Sequence, residues 1–304
     1  MRRPKISKNA PISTKQTVEE AFQTIMQVNF DHLHAWEPVS YEGKDTHGVR
    51  KVRVSLRRMR SALPIFRAAF PRTVTDPWAK ELKWAATQLG PARDLDVLIH
   101  ERLSEQPDDA GKEKLAAFAK QSRDEAYAQM RAMLDSKRYA SFKLKFSKWI
   151  KNKAWRDDLS GKNRRLLKKN IVPFAVKALN KCERRVLKAG SNIKSRPDEE
   201  LHRLRIQCKK LRYAAEFFTP LFERERMRTY INRLKELQDM LGMMHDIAVI
   251  KEGMLGPLLA SVKDKEAHRF AKKFMGEQKG HYSDVQKTLF RRWKGFLSTS
   301  APWK

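Results

Sequence analysis

Apolar residues along this chain recur every three or four positions and almost never every second one, the period of helices rather than strands. Val49, Val52, Leu56, Met59 and Leu63 mark one such seam, and Leu201, Leu204, Cys208, Leu211 and Ala215 mark another. No alternating β-branched runs joined by Asn-Gly or Asp-Gly turns occur. The pattern predicts an all-α chain. Several starts are marked as well. Asp45 or Thr46 is placed to cap the helix that runs on to Phe66, and Ser195 with Asp198 resembles a capping box before a second helix. Asp76-Pro77 is expected to open another helix that Gly90-Pro91 closes.

The pattern also repeats. An offset of 152 residues, the distance from Val49 to Leu201, lays Val49–Phe66 on Leu201–Phe218. Arg53 then falls on Arg205, Arg60 on Arg212, Ala62 on Ala214 and Phe66 on Phe218. The same offset carries "LGPARDLDVL" (Leu89–Leu98) onto "LGMMHDIAVI" (Leu241–Ile250), and Phe22 onto Phe174. One offset that serves separate segments without a gap implies two copies of a helical unit, at about 16–155 and 166–303. Each copy reads as an apolar helix, the helix of the seam, a helix ending in Leu-Gly, and a longer fourth segment. The expected architecture is two four-helix bundles about a pseudo-two-fold axis, flanking a basic central groove. The junction is the polar stretch Arg156–Arg165, and residues 1–15 read as a loose basic arm.

Charge changes the picture next. Lys and Arg number 65 against 35 Asp and Glu, a formal net charge of +30 over 304 residues. Such a surplus opposes compaction by self-repulsion and suits a polyanionic partner. With 41% hydrophobic residues the chain builds a core, so it is no disordered basic tail. Cys182 and Cys208 give neither a disulfide framework nor metal-ligand spacing, in keeping with a reducing, cytoplasmic setting. No apolar run reaches the roughly 18 residues of a membrane span.

The cations are arranged. Arg50, Arg53, Arg57 and Arg60 share one helical face beside the apolar seam, and His202, Arg205, Lys209 and Arg212 repeat the stripe in the second copy. Like charges at these spacings destabilise an isolated helix by a few tenths of a kcal/mol per pair, a cost an anion removes. Lys83 and its counterpart Lys235 are candidate additional contacts, as are Arg93 and its counterpart His245 near a helix start.

These residues resemble the CHAD family, a histidine-containing α-helical domain that binds inorganic polyphosphate. The matching signatures are "VRKVRVSLRRMRSAL" and "LHRLRIQCKKLRYAAEFF", each followed by Leu-Gly and Asp, with "RRWKGFLSTSAPW" at the end. The resemblance spans about Gln16 to Trp303 and implies two four-helix bundles around a basic channel. Carried over by position, the first-copy motif holds Arg53, Arg57, Arg58 and Arg60, and the second His202, Arg205, Lys209, Lys210 and Arg212. The chain departs at one place: Arg50 stands where the first-copy histidine belongs, keeping a cation that does not titrate near neutrality.

Other chemistry finds less support. Asp94 and Asp246 read as caps or holders of motif arginines. His32-x-His34 reads as a polar helix face, and Trp149, Trp155, Trp293 and Trp303 as packing. There is no phosphate loop of the GxxxxGK[ST] kind, and Glu223-x-Glu225 lies on a helical stretch without a β domain. The expected function is non-enzymatic binding of polyphosphate in the cytoplasm, at polyphosphate granules, without cofactor or metal. Two alternatives stay open: a helical nucleic-acid-binding protein, motivated by the +30 charge and the aromatic-basic segment Tyr139–Trp155, with nucleic acid otherwise a weaker competitor; and an adaptor docking an acidic protein.

Overall fold

A computed structural model describes residues 3–7, 9–249, 264–280 and 282–304; the side chains of 245–249, 275, 277–280, 282 and 283 lie outside the description. Helices dominate it, and among the described residues the β-type pairing is one isolated bridge, Thr17 to Asn170. In the first half α1 (Val18–Glu42) is followed by α2 (His47–Ile65), α3 (Arg72–Gln88) and α4 (Gly90–Val97), which runs into a wider π turn, Leu98–Leu103. Then come α5 (Ala110–Leu134), α6 (Lys137–Lys151) and the short α7 (Gly161–Leu167). The second half holds α8 (Ile171–Gly190), α9 (Asp198–Phe218), α10 (Arg224–Val249), α11 (Lys265–Gly280) and α12 (Tyr282–Leu297).

Helix bounds follow the 152-residue offset. The range of α2 maps onto α9 within a residue at each end, and the start of α3 at Arg72 maps onto the start of α10 at Arg224. Two pairs of offset partners touch: the Phe66 and Phe218 rings lie 5.8 Å apart, and Lys114 Nζ is 2.6 Å from a Glu266 carboxylate oxygen. Residues related by a two-fold rotation meet their own counterparts beside the axis. The fourth segment of each copy is two helices, not one. Ser136 breaks the first, its hydroxyl accepting from the Tyr139 amide to cap α6.

The two apolar seams face inward as expected. Val49, Val52, Leu56, Met59 and Leu63 are buried, and so are Leu201, Leu204, Cys208, Leu211 and Ala215. α1 lies along α2, α8 along α9, α9 along α10, and α2 meets α9. One apolar core runs through both halves. A satellite core joins α5, α11 and the π turn through Leu98, Leu103, Leu115, Phe270 and Phe274.

Local starts differ from the sequence expectation in three places. α3 begins at Arg72 rather than at Asp76-Pro77, with Pro71 before it and Pro77 inside the helix. The Ser195–Asp198 box does not form: Ser195 ends a 3-10 turn, its hydroxyl donates to Asn192 O, and Pro197 precedes α9. The N-terminal arm is docked rather than loose. Ala10 and Ile12 are buried, Asn170 donates to Thr14 O, and Arg3 pairs with Asp45.

Candidate functional site

Asp45 starts the basic helix α2. Its Oδ1 accepts from the His47 amide at 2.9 Å, whereas Thr46 makes no side-chain cap. Arg3, assisted by that amide, holds the Asp45 carboxyl down at about 2. α9 starts with three acids, Asp198, Glu199 and Glu200, which complement the positive end of its macrodipole.

The α2 stripe sits beside the buried seam. Arg50 and Arg60 are exposed; Arg53 and Arg57 are half-buried. Arg53 donates to Ala86 O at 2.7 Å, which fastens the stripe to the end of α3. Gly90 belongs to the same junction: a Cβ there would stand 3.3 Å from Arg53 Nη1. Partial burial lowers the proton affinity of Arg53; Asp94 opposes this, while Arg57, Arg93 and Arg60 add to it. Arg60 is lowered in the same direction by loss of water, then by Arg57. Neither Arg57 nor Arg60 makes a side-chain hydrogen bond or ion pair with a described residue, and the same holds for Arg50. The stripe is therefore a row of guanidiniums held close against their repulsion.

The α9 stripe is wired more tightly. His202, Arg205 and Lys209 are half-buried on it, and Lys210, the counterpart of Arg58, is half-buried one position round from Lys209. Arg212 donates through Nε to Gln238 Oε1 at 2.9 Å and through Nη1 to Glu216 Oε1 at 2.5 Å. Lys83 and Lys235 are exposed on α3 and α10. Arg93 is close to the α2 stripe but pairs with Glu101 at 2.7 Å. His245 and Asp246 belong to the side chains outside the description.

One predicted contact lies elsewhere. Arg58 is fully buried, donates through Nε to Asn29 Oδ1 at 2.8 Å, and pairs with Glu216. Its guanidinium also lies 4.8 Å from the centre of the Phe217 ring. Sequence spacing already puts Arg58 off the stripe, one position round from Arg57, and the structure turns it into the core between α1, α2 and α9.

The CHAD domain model matches residues 24–253. This chain belongs to the CHAD domain family. The crystal structure of the CHAD domain from the plant Ricinus communis superimposes with a TM-score of 0.81 at 26% identity, covering 99% of this chain and 98% of that one. PptA from Streptomyces chartreusis superimposes at 0.66 with 13% identity, over 92% of this chain and 100% of the other, a likeness of fold. The comparison with curated proteins finds no match.

Within this CHAD domain several polar groups were not legible as a set. Asp96, the second acid of "DLD", is buried and accepts from Arg123 Nε at 2.8 Å and Tyr127 OH at 2.9 Å. His32 is not on a polar face; it is buried with Nδ1 2.7 Å from Ser55 Oγ. Glu223 is a cap, accepting from the amides of Glu225 and Arg226 at 2.7 Å. Trp149, Trp155, Trp293 and Trp303 are buried. Among the described residues no group of three or more His, Cys, Asp or Glu is placed to hold a metal ion, and no helix is long and apolar enough to cross a membrane.

Proposed function

We propose that this protein binds inorganic polyphosphate along the stripes of α2 and α9 and performs no chemistry on it. The observation that carries this reading is the pair Arg57 and Arg60, which lack an acidic partner among the described residues and are crowded by Arg53. A linear polyanion lays phosphates at short intervals along such a row, with arginine forks supplying bidentate contacts and lysines point charges. Arg50, Arg53, Arg57 and Arg60 form one wall; His202, Arg205, Lys209 and Arg212 form the other, with Lys210 one position round from it. Lys83 and Lys235 flank them, and His245 joins by its place in the repeat. Arg58 is buried between the helices and Arg93 is paired with Glu101, so neither belongs to the contact set. The site of action is the cytoplasm, at polyphosphate granules.

Nucleic acid carries the same charge but needs stacking surfaces for tight single-strand binding. The aromatic rings of the basic segment, Tyr139, Phe142, Phe146, Trp149 and Trp155, are all buried in the core, which leaves charge as the feature that favours that alternative. The test is competition across a salt series, with labelled long-chain polyphosphate displaced by unlabelled polyphosphate, RNA or DNA. Polyphosphate is expected to compete best, with an affinity that falls steeply as salt rises. Equal or better competition by RNA or DNA at physiological salt overturns the reading.

A further inference from the structure

Between the end of α2 and the length of α8 lies a groove of about 500 Å³, within the size range of ligand-binding clefts. Its floor is apolar: Pro64, Ile65 and Ala68 from the α2 side, Phe174, Ala178 and Cys182 from α8. Along the α8 edge Lys177, Lys181 and Arg185 follow one another four residues apart, one cation per turn, and Lys169 stands at the near end. All four are exposed, none has an ion pair with a described residue, and no acid lines the groove.

The other copy shows how unusual that face is. The 152-residue offset lays Lys177, Ala178, Lys181 and Arg185 on Ile25, Met26, Asn29 and Leu33 of α1. All four α1 residues are fully buried, and Asn29 serves Arg58. In α8, core positions have become three cations beside small or apolar side chains, and cations without partners do not bury. The face stays open with an apolar floor.

We infer that this groove docks an acidic amphipathic helix of a partner protein. The cations span about 12 Å, eight residues at the helical rise, at one per turn. Carboxylates on one flank of a second helix recur at the same interval, and its apolar residues fill the floor, the helix-in-groove mode. A single-headed amphiphile neutralises one cation and leaves two; a bare polyanion leaves the floor wet. The inference is independent of the polyphosphate reading, because Lys177, Lys181 and Arg185 are outside that contact set.

The test uses the full chain and a fluorescein-labelled peptide of leucine, alanine and glutamate with leucines at helical spacing, against a scrambled peptide of equal composition. The ordered peptide is expected to bind about tenfold more tightly or better. Ala178→Trp, which fills the floor, and Lys181→Glu with Arg185→Glu, which reverses the edge, should each cut that affinity about tenfold or more at unchanged melting temperature. Should Ala178→Trp fail to fold, the edge variant decides. Equal binding of the scramble, or peptide affinity unmoved in a folded variant, overturns the inference. So does competitive displacement by polyphosphate combined with weaker polyphosphate binding in Ala178→Trp, which assigns the groove to the polyanion. Loss of polyphosphate binding with peptide binding retained would refute the proposed function alone.

Discussion

Replacing Arg57 and Arg60 together by glutamine isolates the stripe from the fold. Neither side chain has a hydrogen bond or ion pair with a described residue, and both sit among like charges. Removing them relieves repulsion of a few tenths of a kcal/mol per pair, so the urea midpoint should hold or rise slightly. Each charge-assisted contact to a phosphate contributes about 1.5 kcal/mol, so the pair costs about 3 kcal/mol of binding. That is roughly a hundredfold in affinity. Counterion release adds a second signature. For a flexible single-stranded polyanion the salt slope changes by roughly 0.7 per contact, so the log–log plot should flatten by about 1.4. Fluorescence anisotropy of labelled polyphosphate between about 50 and 200 mM salt reads both quantities. The control is Arg203→Gln with Arg228→Gln, which removes the same charge from two exposed arginines paired within their own helices. An equal loss in that control would mean that net charge alone binds the ligand, and an unchanged slope in the stripe variant would refute the site.

Other perturbations probe the scaffold. Arg58→Ala leaves Glu216 with Arg212 alone, takes the donor from the buried Asn29 Oδ1 and opens a cavity, so it should cost about 2–4 kcal/mol in urea unfolding; a loss under about 1 kcal/mol would show that Arg58 is not the buried tie described here. Asp45→Asn reports on the start of α2 and on pH. The folded carboxyl titrates at about 2 against the usual 3.8, so its contribution is present above 3.8 and is lost as pH falls through about 2. The variant should be about 1 kcal/mol less stable at neutral pH, after allowing for the exposed partner Arg3, and should approach the parent only below about pH 2; a difference independent of pH contradicts the cause assigned. Gly190→Ala places a Cβ 2.2 Å from a Trp293 ring carbon and should cost about 1–3 kcal/mol through forced repacking, read as a lowered melting temperature.

Much of this is legible in the sequence. The seams of α2 and α9 were readable because a 3-4 spacing of apolar residues has one packing solution on a helix, and the offset gave each seam an independent copy. The stripes followed from the same geometry. What pattern could not reveal were the choices made by distant partners. Arg58 is written like its neighbours, and only Asn29 and Glu216, from two other helices, draw it inside. Asp96 looks like half of a weak acidic motif until Arg123 and Tyr127 arrive from α5. The start of α3 was misplaced because Asp76-Pro77 carries a strong local signal, yet the chain had already turned at Pro71 and the helix carries Pro77 at its sixth position. The arm looked loose because two apolar residues, Ala10 and Ile12, make no period; both are buried in the main core.

The repeat also explains why the two halves close differently. In the first half a cation, Arg58, is buried with Asn29 as acceptor and Glu216 as counter-charge. The offset puts Lys210 at the place of Arg58, Lys181 at that of Asn29 and Pro64 at that of Glu216. That set has two ammoniums, no acceptor and no acid. Taking either ammonium out of water uncompensated costs several kcal/mol, far more than the few apolar atoms nearby return on burial. Burial holds the proton of the Cys182 thiol, against the charges of Arg185, Lys210 and Lys181. Closure of this half around the same core is therefore excluded by charge balance. The groove between α2 and α8 is the consequence: an ion pair closes the first half, and a cation-edged face stays open in the second.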